Sequence, residues 1–168
     1  MVITGMQSGG AERVMATLCN ELSQRNQVRL LVMKEKKTDY ALNENVEIVA
    51  GNVTNKSLLK SVQFVCQQMD EWQPQVVLSF MTKSNLIALI AKRIAKWKAP
   101  VIIAERANPN YTGSLLKVIR KCVYASADGC VFQTKQALKY YKDIIKCNSI
   151  VLRNPLNPNF KVQMHRGV

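Results

Sequence analysis

Apolar residues along this chain alternate between two rhythms. Short, nearly continuous runs stand at 2–4, 28–33, 46–50, 75–80, 100–104, 129–132 and 149–152. Between them lie longer stretches whose apolar positions recur every three or four residues. The first stretch sets Val14, Leu18 and Leu22 on one face, with Met15 and Cys19 beside them. The second carries Leu58, Leu59, Val62, Val65, Cys66 and Met69 and ends near Trp72 and Pro74. A third, Asn85–Trp97, turns Leu86, Ile87, Ile90 and Ile94 inward. Leu115, Leu116, Ile119 and Val123 predict the next helix, and Lys135–Ile145 the last, with Thr134 as its N-cap. The short runs are apolar on both faces, as buried parallel strands are. Pro100 is acceptable at the first position of its strand. The polar, lysine-rich stretch Lys34–Tyr40 reads as a loop.

Repeated strand–helix units of this kind predict an α/β fold, a Rossmann-like doubly wound parallel sheet flanked by helices. In such sheets ligands bind outside the carboxyl ends of the strands, near the point where strand order reverses. That rule singles out the loops Gly5–Gly10, Ser79–Ser84, Glu105–Gly113 and Gln133–Thr134. Their polar residues are candidates for one shared site.

Of these loops, Gly5–Gly10 carries the most chemistry. A strand, a glycine turn and a helix N-terminus together offer unpaired N–H groups and a dipole that favours anions. Gly9 and Gly10 lack a Cβ, which lets a diphosphate or a sugar approach the backbone. Two phosphate loops fail the test. The pattern GxxxxGK[ST] fits as far as Gly10, but Ala11 and Glu12 stand where Lys and Ser/Thr are needed. GxGxxG fails because three residues separate Gly5 from Gly9. An ordinary NTPase or NAD enzyme is disfavoured; a plain tight turn remains the other reading of the glycine pair.

A length of 168 residues suits one domain. No apolar run approaches the ~20 residues of a membrane span, and Met1–Thr4 is too short for a secretory signal. The cysteines, Cys19, Cys66, Cys122, Cys130 and Cys147, form no CxxC pair, and the only histidine is His165. No metal is expected, and a reducing compartment fits better than a disulfide scaffold.

The net charge of +13 changes the picture more. It implies an anionic partner. Lys135, Lys139, Lys142 and Lys146 fall on one stripe of a helix. Lys117, Arg120 and Lys121 make a second cluster, and Lys92, Arg93, Lys96 and Lys98 a third. Each is a solvated helix face or part of a docking surface.

Both ends suggest a piece of something longer. The first strand has about four residues before Gly5, fewer than the roughly five or six usual for a strand. The Arg153–Asn159 segment, with Pro155 and Pro158, continues neither helix nor strand and reads as a linker.

At this point several segments carry a resemblance. Ser8-Gly9-Gly10-Ala11-Glu12-Arg13 after a first strand is similar to the N-terminal half of retaining glycosyltransferases of the GT-B fold, family four. Val76–Lys83 resembles that family's fourth strand and loop, and Ile103–Pro109 its "SERNNP"-type loop. Ala127–Thr134 and Val151–Leu156 resemble its last strands and interdomain linker. Order and spacing agree over nearly the whole chain.

The resemblance implies residues 1–153 as an acceptor-side Rossmann-like domain and 154–168 as the start of a linker. A C-terminal donor domain, with the family's paired glutamates, is absent from this sequence. The enzyme implied is a hexosyltransferase that moves a sugar from a nucleotide-sugar donor to a glycan or lipid-linked acceptor with retention, in polysaccharide or lipid-linked glycan synthesis. No cofactor is implied. Location is cytoplasmic, with peripheral contact to an anionic inner membrane face through Lys117, Arg120, Lys121, Lys135, Lys139, Lys142 and Lys146. Donor and acceptor contacts fall on Gly9, Gly10, Ser79, Lys83, Arg106, Asn108 and Thr134. Glu105 is the candidate catalytic group, as a base orienting an acceptor hydroxyl; an ion pair with Arg106 or a loop brace is its alternative. Many relatives carry a histidine near this loop, and this chain has none there. The isolated domain is expected to be inactive, because half the cleft is missing.

Two rivals remain. A non-catalytic basic module docking on a membrane or nucleic acid fits the charge, but no recognition helix or RNA-binding signature supports nucleic acid. A sugar-nucleotide epimerase of related fold would need carboxylates and histidines beyond those seen.

Overall fold

The fold is taken from a computed structural model, which describes residues 1–53, 57–106 and 114–154. Seven strands are present: β1 (Val2–Ile3), β2 (Val28–Val32), β3 (Val46–Ala50), β4 (Val77–Phe80), β5 (Val101–Glu105), β6 (Gly129–Phe132) and β7 (Asn148–Val151). They form one sheet in the order β3-β2-β1-β4-β5-β6-β7, and every pairing is parallel. Order reverses at β1, where Val2 pairs with Leu31 of β2 on one side and Ser79 of β4 on the other. The switch point therefore lies above β1 and β4, next to the glycine turn.

Five helices join the strands: α1 (Gly10–Leu22), α2 (Leu58–Trp72), α3 (Thr82–Ala95), α4 (Ser114–Tyr124) and α5 (Lys135–Tyr141). The sheet is covered on both faces, which is why its strands are apolar throughout. Val62 and Val65 of α2, Ile87 and Leu89 of α3, Val123 and Tyr124 of α4 and Tyr141 of α5 pack against Val77, Val101 and Ile103. On the opposite face Val14, Met15 and Cys19 of α1 meet Ile3, Leu30, Val32 and Phe80. Fully buried side chains such as Ile87 and Leu89 each contribute about 1.5–3 kcal/mol of transfer free energy.

Every expected strand and helix is present, with three corrections that bear on function. First, α3 begins at Thr82 rather than Asn85, so the expected Ser79–Ser84 loop shrinks to Met81. Met81 takes φ 75° and ψ 147°, a conformation that strains any residue with a Cβ. Second, α5 ends at Tyr141, where the N–H groups of Ile144 and Ile145 both bond to the Tyr141 carbonyl. Third, α4 is turned about its axis relative to the expected face. Arg120, Val123 and Tyr124 are buried, whereas Ile119 is 38% and Val118 61% exposed. Leu115 and Leu116 have side chains outside the described residues.

Candidate functional site

The described residues of the loops chosen from the sequence gather at the carboxyl edge of the sheet, as the parallel topology requires. At its centre the glycine turn leads into α1 with Gly9 as N-cap. Gly9 is extended, at φ −178°, and no glycine has positive φ among the described residues. Its small size matters for another reason. A Cβ there would fall 2.1 Å from Oε2 of Glu12, whose side chain folds back over the turn. The space above Gly10 is open.

The turn's N–H groups are partly in use. The loop after β2 lies across it: the Asp39 N–H bonds to the Met6 carbonyl at 3.1 Å. The Ser8 N–H then donates to Oδ2 of Asp39 at 2.7 Å. The Gly9 N–H donates to the Tyr40 hydroxyl at 2.9 Å, and that hydroxyl donates back to the Gly9 carbonyl at 2.7 Å. Gln7 reaches Glu35 at 3.1 Å. An expected anion contact at Gly9 therefore meets a backbone donor already paired. The first turn of α1, starting at exposed Gly10, retains the N–H groups that no helical carbonyl can reach. Asp39 and Tyr40 escaped the sequence reading, although the strand-end rule applied to β2 would have found them.

Glu105 ends β5 but is turned into the core, 1% exposed. The Thr82 hydroxyl contacts both its oxygens, at 3.0 and 3.1 Å. The Arg106 N–H donates to Oε1 at 3.0 Å, and the Tyr124 hydroxyl donates to Oε2. Burial, and then the Glu105 charge beside it, push the Tyr124 hydroxyl far above its ordinary value, so it remains a donor. The carboxylate of Glu105, the expected catalytic group, thus joins β5, α3 and α4 through these bonds. Asn85 belongs to the same cluster, donating to the Ala104 carbonyl at 3.1 Å and contacting the Tyr124 hydroxyl at 3.4 Å. Nothing in the sequence marked Tyr124, because it ends a helix that reads as ordinary.

Arg106 does not pair with Glu105 through its guanidinium. That group lies over the Phe80 ring, 4.6 Å from its centroid, and donates through Nη1 to Oδ1 of Asn154. Lys83, in the first turn of α3, is half-buried. Ser79, expected among the ligand contacts, is placed deeper. It lies within β4, wholly buried, with its hydroxyl unpaired. Thr134 caps α5 as expected, accepting the Ala137 N–H at 3.1 Å. Asn108 lies outside the described residues, as does the side chain of Lys117.

The basic clusters separate. Arg120 is 1% exposed and donates to the Tyr141 hydroxyl while lying over that ring, so it is a core residue and not part of an anion-binding face. Lys121 is exposed. Lys135 and Lys139 are exposed on α5, whereas Lys142 and Lys146 follow it, still exposed but off the expected helical stripe. Lys92 pairs with Asp128, and Arg93 donates to the Cys122 carbonyl at 2.8 Å. Two surface recesses lie at the opposite edge, one of about 550 Å³ before β4 and β5 and one of about 560 Å³ before β2 and β4. Among the described residues no group of three His, Cys, Asp or Glu is arranged to hold a metal ion, and no helix is long and apolar enough to cross a membrane.

No family model matches the chain. In sequence it is 26% identical over 163 residues to the GalNAc-alpha-(1->4)-GalNAc-alpha-(1->3)-diNAcBac-PP-undecaprenol alpha-1,4-N-acetyl-D-galactosaminyltransferase of Campylobacter jejuni. The match covers 92% of this chain and 45% of that protein, so the chain spans a little under half of its curated relative. In structure it is similar to UDP-N-acetylglucosamine 2-epimerase from Rickettsia bellii, with TM-score 0.60 and 17% identity over 86% of this chain and 43% of the other. It is also similar to sucrose-phosphate synthase from Thermosynechococcus elongatus, with TM-score 0.64 and 9% identity over 94% of this chain and 88% of the other. The two structural likenesses speak for the fold alone. The chain is a Rossmann-like unit with fold neighbours of GT-B type, similar in sequence to part of a glycosyltransferase.

Proposed function

We propose that this chain is the acceptor-side domain, residues 1–153, of a GT-B glycosyltransferase that passes a sugar from a nucleotide-sugar donor to a growing glycan with retention. The observation that carries the reading is the sequence match over 92% of the chain to a sugar transferase. That relative's acceptor is named as an undecaprenyl-diphosphate-linked glycan, which supports a lipid-linked acceptor here. The first turn of α1 from Gly10, with Lys83 and Arg106, offers donors and positive charge at the edge where such ligands bind. Glu105 shapes that edge through Thr82, Tyr124 and the Arg106 backbone instead of touching a substrate.

The same reading includes a membrane-facing surface. Val118 and Ile119 are exposed apolar residues on α4 with exposed Lys121, and exposed Ile94, Arg93 and the C-cap Lys96 lie at the end of neighbouring α3. Apolar side chains that enter a headgroup layer, ringed by lysines, suit the anionic cytoplasmic leaflet. A docking module without chemistry is less favoured, since docking alone leaves the similarity to a transferase unaccounted for.

The test is a transfer assay with UDP-N-acetylhexosamines and undecaprenyl-diphosphate-linked glycans, read by mass spectrometry. The intact protein that contains this domain should extend the glycan, and residues 1–168 alone should not. Transfer by residues 1–168 alone would overturn the division between domains. No donor consumption by the intact protein, over a panel of nucleotide sugars and acceptors, would overturn the enzyme reading.

A further inference from the structure

We propose that Asn154 is a positioning residue that holds Arg106 as an uncompensated cation, ready for one phosphoryl group of a diphosphate ligand. The Arg106 guanidinium is held by two neutral groups, and its backbone by a third contact. Phe80, at the end of β4 and 1% exposed, supplies a ring face 4.6 Å below it. Its backbone N–H is anchored on Glu105 at 3.0 Å. From the far side Oδ1 of Asn154 accepts Nη1, and the same oxygen accepts Nε2 of Gln133 at 2.8 Å. Asn154 reaches this place because the β6–β7 ladder runs on to Leu152, whose N–H bonds to the Phe132 carbonyl at 2.9 Å. Residues from four strand ends, Phe80, Arg106, Gln133 and Asn154, thus join in one contact network.

Among the described residues, the groups that hold the side chain of Arg106, the Phe80 ring and the Asn154 amide, are neutral. Arg106 takes part in neither the Arg29–Glu47 nor the Lys92–Asp128 ion pair. Its Nε is buried without a hydrogen-bond partner. Burial also works against its charged form, which an incoming anion would relieve. An aspartate at 154 would have the same shape and bond Nη1 more strongly, but it would spend the charge on the protein itself. An asparagine fixes the fork and leaves the charge for a ligand. A planar fork held in this way suits a phosphoryl group better than a mobile ammonium does. The proposal rests on the transferase reading for the identity of the anion as a diphosphate, whether it comes from the donor nucleotide or from a lipid-linked acceptor.

Titration of the ¹⁵N-labelled chain with inorganic pyrophosphate, followed on the arginine side-chain N–H signals, tests it. Pyrophosphate should move the Arg106 signal, and Arg106→Lys should bind several-fold more weakly although the charge is kept. Asn154→Asp should weaken binding roughly tenfold, the size expected for a charge-assisted bond redirected to the protein, while its melting temperature holds or rises. Asn154→Ala, which leaves the fork unguided, should weaken binding by a smaller factor. A purely structural Asn154 predicts the reverse ranking, with Asn154→Asp binding as the wild type does. That result, tighter binding by Asn154→Ala, or no movement of the Arg106 signal would each overturn the proposal. Parallel titrations with UDP and with geranyl diphosphate identify the source of the diphosphate, and tighter binding of either supports the site. These readouts involve no sugar transfer, so their failure is distinguishable from failure of the transferase reading.

Discussion

At the residue scale, Glu105 and Asp128 show how the same side-chain type takes different roles by position. Glu105 accepts from Thr82, Tyr124 and the Arg106 N–H inside the core, and its shape is matched to those donors. In Glu105→Gln one acceptor oxygen becomes an amide facing those donors. A buried mismatch of this kind should cost about 1–3 kcal/mol in urea unfolding. Tyr124→Phe, which removes one donor to the carboxylate, should cost a similar amount. A Glu105→Gln variant as stable as the wild type would contradict the brace and return Glu105 to the list of reactive groups. Asp128 sits at the other edge. Burial alone would raise its carboxyl, but hydrogen bonds from Lys92 and from the Val101 N–H, with the Lys92 charge, outweigh it and hold the group below its ordinary value. A depressed carboxyl stabilises the fold fully above its unfolded value, about 4, and that contribution is lost as pH falls through the folded value. The gap in melting temperature between wild type and Asp128→Asn should therefore be constant from neutral pH to about 5 and close on further acidification. A gap that persists at pH 2 would rule this linkage out.

At the element scale, most strands and helices were legible because both faces of the sheet are buried and each helix presents one apolar stripe. The limits were less legible. α3 starts early because Met81 makes the whole turn in a strained conformation, and a methionine gives no hint of positive φ. α5 stops early even though lysines continue the stripe to Lys146. Spacing counts residues but does not report where the chain must turn to reach β7. The short α5 leans on its cap. Thr134→Ala should cost about 1 kcal/mol and raise amide exchange in Lys135–Tyr141, while Thr134→Ser should retain most of the stability. Equal exchange in wild type and Thr134→Ala would show that packing of Tyr141 alone holds the helix. α4 gives the sharpest lesson. Its periodicity predicted Ile119 inward, but the pocket between Tyr141 and α4 takes Arg120 instead, and Ile119 turns out.

At the scale of the whole molecule, the excess of positive charge acquires a direction. Some basic groups are neutralised or buried: Lys92 with Asp128, Arg29 with Glu47, and Arg120 against Tyr141. Exposed Lys121, beside the apolar Val118 and Ile119, belongs to the surface proposed to meet a membrane. The chain should co-float with vesicles containing anionic lipid and not with neutral ones. Binding should fall with salt, because each lysine near the surface contributes about 1 kcal/mol that ions screen. The double variant Val118→Asp/Lys121→Glu should lose most of it. Equal binding to both vesicle types, or binding indifferent to salt and to the double variant, would exclude this surface.

The sequence by itself determined the architecture: seven short apolar runs separated by amphipathic stretches leave little choice but a parallel α/β sheet, and that topology names the carboxyl edge as the place for a ligand. Burial and periodicity are local properties, so they can be read along a chain. The tertiary structure alone decided which polar groups at that edge are available. Asp39 and Tyr40 approach the glycine turn from 31 residues away, Tyr124 reaches Glu105 across 19, and Asn154 meets Arg106 across 48. A hydrogen bond between residues so distant in the chain depends on how the strands are ordered, and no spacing along the sequence encodes it.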